Sequence, residues 1–170
     1  AASGVWLSVY GDAAENFDRT TSRVENAVGV SFSYYPFERI AKRSLPKLRK
    51  LRRLREVHFE RTEIHSLYQL HSLGMLSGLT ALRISADVNP VVAHPHFISL
   101  TVSLLPHLRS LNGVEVTAEQ REEADRQWRR LKRLYLLAAG RMHATLAPLP
   151  YQHAMHYSDT PPSSPVKFNA

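Results

Sequence analysis

Residues 54–67 read Leu54-Arg55-Glu56-Val57-His58-Phe59-Glu60-Arg61-Thr62-Glu63-Ile64-His65-Ser66-Leu67. Val57 and Phe59 alternate with Glu56, His58 and Glu60, the period of a strand that buries one face. With Leu54 ahead and Ile64 and Leu67 behind, the stretch has the form LxxLxLxxTxIxxL. Leu79-Thr80-Ala81-Leu82-Arg83-Ile84 opens in the same way and reaches Asn89-Pro90 after a two-residue insertion. Ala27 to Phe37 repeats the form with aromatic substitutions, and Leu105 to Leu111 begins a further copy. Leu7-Ser8-Val9 is a weaker first copy. The central strand positions are then Leu7, Val30, Val57, Leu82 and Leu111, a period of 23 to 29 residues.

A period of that length implies one strand and one helix per unit. No unit can bury its apolar side alone, so units stack. The helical halves are legible. Leu45, Leu48 and Leu51 fall three apart, with Ser44 placed to cap that helix and Pro46 tolerated in its first turn. Leu67, Leu70, Leu73 and Leu76 repeat the stripe, and Gly78 is expected to end it. Pro95 to Leu105, with Phe97, Ile98, Leu100, Thr101, Leu104 and Leu105, reads as heavily buried. The fold class expected is α/β: a solenoid with a parallel sheet on its concave face and helices on its convex face.

The far end carries the most specific pattern. Asn89-Pro90-Val91-Val92 is followed by Leu105-Pro106-His107-Leu108-Arg109-Ser110-Leu111-Asn112-Gly113-Val114-Glu115-Val116-Thr117-Ala118-Glu119-Gln120-Arg121. This resembles the C-terminal cap of leucine-rich-repeat proteins of cytoplasm, nucleus and cilia, with Asn112 in place of Asp and Gln120 in place of Glu. Thr117 and Gln120 also form a capping box, opening a helix expected to run to about Ala139 and close at Gly140. The division expected is an N-terminal segment or atypical repeat over 1–26, repeats over 27–116, a cap helix over 117–140 and an extended proline-rich tail over 141–170. Val30-Ser31-Phe32, Pro36-Phe37 and Ile64-His65-Ser66-Leu67-Tyr68-Gln69-Leu70 look like the leucine-rich-repeat proteins of cilia, among them the repeat subunits of tubulin polyglutamylase complexes and similar axonemal proteins. That resemblance implies a non-catalytic scaffold in a larger assembly, set in a cilium, axoneme or microtubule cytoskeleton. The same type of cap is found in a ribonucleoprotein subunit and in a phosphatase-regulatory subunit, which are the alternatives.

Composition narrows the classes. Among 170 residues there is no cysteine, which excludes disulfides, a thiol nucleophile and cysteine-based metal sites. It fits a reducing, cytoplasmic setting. No apolar run is long enough to span a membrane, so no membrane partner is expected. The start, Ala1-Ala2-Ser3-Gly4, lacks a signal peptide's pattern and reads as a piece of a longer chain. Nine histidines raise the question of a metal, yet His94-Pro95-His96 has no carboxylate at ligand spacing, and neither HExxH nor a phosphate-cradling glycine loop is present. No catalytic residue, metal or cofactor is expected.

Two surfaces are candidates for partners. The net charge is +7, and residues 38–55 hold nine basic side chains against Glu38. Lys42, Arg43, Lys47, Arg49, Lys50, Arg52, Arg53 and Arg55 form a polyanion patch for an acidic protein, or less favourably for nucleic acid; the resemblance to ciliary proteins implies tubulin as that acidic partner. An ordinary solvated helix face explains the same run. The second surface is the concave sheet face, with Ser31, Ser33, Glu56, His58, Glu60 and Arg83 pointing outward. Trp6 and Tyr10 join it as aromatic anchors unless Trp6 packs on residues 11–25. In the tail, Ser163-Ser164-Pro165 fits a proline-directed kinase site at Ser164.

Overall fold

The computed structural model describes residues 4–13 and 24–129. They form a mixed α/β fold around one open six-stranded sheet. The strands are β1 (Val5–Tyr10), β2 (Ala27–Ser33), β3 (Glu56–Glu60), β4 (Ala81–Ile84), β5 (Ser110–Leu111) and β6 (Val114–Glu115), lying side by side in sequence order. The first five are parallel, and β6 turns back antiparallel to β5. Helical segments fill the connections: α1 (Phe37–Arg39), a π-helical turn (Ile40–Ser44) and α2 (Leu45–Leu48) after β2; α3 (Leu67–Leu70) with a 3-10 turn (His71–Met75) after β3; a 3-10 turn (Pro90–Ala93) and α4 (Phe97–Leu104) after β4. Helix α5 occupies 118–129. None of the described helices is long and apolar enough to cross a membrane.

Register follows from side-chain alternation. Leu7, Val30, Val57, Leu82 and Leu111 are successive partners across the sheet, and Val9, Phe32, Phe59 and Ile84 form the next row. From Val30 to Leu111 the first row is buried, and the whole second row is buried. A one-residue slip would turn all of them to solvent, so burial fixes the register. Phe59 is stacked on Phe32 and meets Phe37 edge-on, linking two strands to the first helical connection. Leu45, Leu48, Leu70, Leu73 and Leu100 close the core from the helical side.

The turns leaving the strands also repeat. Tyr34, Arg61 and Val88 all take positive φ, at 58°, 50° and 62°, and each directly precedes a buried residue: Tyr35, Thr62 or Asn89. Neighbouring turns are sewn together. Tyr34 N–H donates to Glu60 O, Phe37 N–H to Thr62 O and Val91 N–H to Ile64 O. Buried Asn89 accepts through Oδ1 from the Thr62 hydroxyl and from Ile64 N–H, both at 3.0 Å, and donates through Nδ2 to Ser85 O. Backbone groups that would be orphaned at the end of a short strand are satisfied in this way.

Four expectations are corrected or sharpened here. Ser44 caps nothing: it lies inside the helical run, and its buried hydroxyl has no partner. Pro46 gives the reason. It lacks an N–H and crowds the carbonyl four residues back, and the chain accommodates it with the π turn immediately upstream instead of a fresh helix start. Gly78 does not end the second helix, which stops at Met75 with Leu76 as its C-cap. Ile98 is 51% exposed, although Phe97, Leu100, Thr101 and Val102 of α4 are buried. Asn112-Gly113, read above as part of a motif, is a two-residue hairpin loop with both φ positive, 53° and 82°, which pairs Leu111 with Val114. Thr117 and Gln120 do exchange capping-box bonds at 3.1 Å. Arg121 then reaches back from α5 to Pro106 O and Leu108 O, and Ala124 is buried beneath the helix. The end expected at Ala139–Gly140, the tail and Ser164 lie outside the described residues.

Candidate functional site

The face of the sheet away from the helices is built in three rows. Trp6, Gly29, Glu56 and Ala81 are successive partners; so are Ser8, Ser31, His58 and Arg83; so are Tyr10, Ser33 and Glu60. All six residues assigned to this face by alternation are therefore on it. Five are at least partly accessible, but Ser33 is 2% exposed, its hydroxyl donating to Glu60 Oε2 at 3.2 Å. Ser31 is joined to Ser8 at 3.3 Å.

Trp6 organises the centre. Its ring lies across Gly29, where an added Cβ would fall on the indole carbons Cε3 and Cζ3. Only glycine leaves room for the indole to cross β2 and meet His58 on β3, at 4.8 Å between ring centroids in edge-on contact. His58 Nε2 is 2.7 Å from Glu56 Oε1, and Arg83 Nε approaches the same oxygen at 4.0 Å. Trp6 stays 42% exposed and Tyr10 61% exposed. Trp6 thus packs on Gly29 and His58; residues 14–23, its alternative cover, lie outside the described residues. The result is a shallow hollow of about 520 Å³, with aromatic rings at one side and charged groups at its middle.

Among the described residues no group of three metal-capable side chains gathers anywhere. His94 and His96 sit 5.7 Å apart, and His94 Nδ1 accepts from the His96 backbone N–H at 3.1 Å.

The basic run divides between two places. Lys42 and Arg43 line a groove between the first and second helical connections, together with Tyr68 and His71. Arg49, Arg52 and Arg55 line a different groove, beside Gly78. Lys50 and Arg53 are exposed, and Lys47 is partly covered. Arg55 is partly committed, its Nη1 donating to Arg52 O and Leu54 O. Past Gly78, Arg55 also lines a groove with His107, Arg109 and Arg121. Sequence reading missed this convergence because it lies across three units. It also missed Gly29, although a glycine inside a strand pattern is a signal of close approach.

A scan of the sequence against protein-family models finds no match, and a search of the curated proteins finds none either.

Proposed function

We propose that the protein is a non-catalytic interaction scaffold of the leucine-rich-repeat type, with residues 105–129 as its C-terminal cap and the open sheet face as its concave binding surface. Sequential parallel strands, turns repeating at Tyr34, Arg61 and Val88, and the Asn89 ladder favour this reading. The observation that carries the function is the exposed Trp6, braced by Gly29 and His58, with Tyr10 exposed on the same strand face. Exposed, rigid aromatics beside charged groups are the usual anchors of a protein interface. The likeness of the sequence pattern to ciliary repeat proteins supports a larger, microtubule-associated assembly as the setting.

The test is site-directed photo-crosslinking in cells that express the chain. A crosslinker at position 31, on the sheet face, should capture a defined protein, and Trp6→Ala should abolish that capture. A crosslinker at position 98, on exposed α4, should not capture it. Capture from position 98 alone, or capture indifferent to Trp6→Ala, defeats the proposal.

A further inference from the structure

The grooves on either side of Gly78 adjoin. Both are lined by Arg55 and Gly78; one continues to Arg49 and Arg52, the other to Arg109 and Arg121. The path therefore runs along the edge where the chain enters β3, β4 and β5. Arg55 precedes β3, Thr80 precedes β4 and Arg109 precedes β5, and the three are tied by Thr80 N–H donating to Arg55 O and Arg109 N–H donating to Thr80 O. Their spacing is thus set by the sheet. Arg121 is fixed on the same edge by its bonds to Pro106 O and Leu108 O.

The charge along this path is of one sign. Among the described residues no carboxylate lines either groove. The side chains of Arg49, Arg52 and Arg109 are exposed and have no ion-pair or hydrogen-bond partner among the described residues. Closely held like charges repel one another, and an anionic partner relieves that cost. The floor is apolar, with Leu51 and Met75, which suits the methylene stems of an extended polypeptide. Among the described residues no Phe, Tyr or Trp ring lines either groove, and His107 is the one aromatic ring there, which favours a polypeptide over a run of stacked bases.

We infer that this arginine-lined edge is a docking groove for an acidic polypeptide segment, rich in glutamate or aspartate, with Arg109 as its central contact. It is a second surface, and its argument does not rest on the use of the sheet face. The test is fluorescence anisotropy with the full chain and a labelled ten-residue polyglutamate peptide. Arg109→Glu should weaken binding by about tenfold or more, while Lys42→Glu, an equal charge change on the other groove, should weaken it by less than about threefold. Arg109→Gln, checked by circular dichroism for a native melt, should weaken it by about threefold. Trp6→Ala should leave it unchanged. Equal losses from Arg109→Glu and Lys42→Glu, no binding of the peptide, dependence on Trp6, or tighter Arg109-dependent binding of a single-stranded oligonucleotide would each overturn the inference.

Discussion

Asn89 holds more of the fold than its size suggests. It is 1% exposed and satisfies the Thr62 hydroxyl, Ile64 N–H and Ser85 O at once. Asn89→Ala leaves these groups buried without partners, a loss of about 3 kcal/mol or more. Urea denaturation should show that loss with little change in the slope; a change under about 1 kcal/mol would mean that water replaces the side chain. Gly29 matters in another way, because Trp6 occupies the space of its missing side chain. Gly29→Ala should lift the indole off β2 at a cost of about 1–2 kcal/mol. In a Trp128→Phe background, the remaining tryptophan emission should shift to the red and become easier to quench with acrylamide. An unmoved spectrum would mean that the ring was not seated there.

Among the elements, the helical run over 37–48 is the least regular. Ser44 is buried in it with an unpartnered hydroxyl beside the π turn. Ser44→Ala removes that unsatisfied group and should stabilise the protein by about 0.5–1 kcal/mol, read as a rise in melting temperature. A fall would show that the hydroxyl has a partner in solution. The strands were far more legible than this run. Alternation placed Val57, Phe59, Leu82 and Ile84 inward and Glu56, His58 and Arg83 outward, as they are. Pro46 does fall in the first turn of α2, as its local signal suggests; the misread residue is Ser44, which ends the π turn ahead of α2 and so has no fresh helix start to cap. The hairpin at Asn112-Gly113 was readable in principle, since Asn-Gly is the strongest two-residue turn signal. What no local pattern could show is the meeting of Arg55, Arg109 and Arg121, which depends on three strand entries lying side by side.

At the scale of the molecule, each strand of the open sheet pairs with the next in sequence, and α5 lies at the β5–β6 end. Ala124 and Trp128 bring that helix onto the core. Ala124→Asp would place a charge in this dry contact and should cost about 3 kcal/mol, with increased binding of a hydrophobic dye. A near-normal melt would show that α5 contributes little to stability.

The left-handed residues Tyr34, Arg61 and Val88 have one more implication. Each lies where the chain leaves a strand, directly ahead of a buried residue, and at the first of them Tyr34 N–H is bonded to Glu60 O at the end of the next strand. Splicing in a duplicate of residues 35–61 after Arg61 would create one new junction, Arg61 followed by Tyr35, which again sets a left-handed residue before a buried one. The lengthened protein should fold with one extra strand, growing by about 4.8 Å along the sheet. A native melt of that longer protein would show that the sheet can be extended by copying a unit, and a failure to fold would show that it cannot.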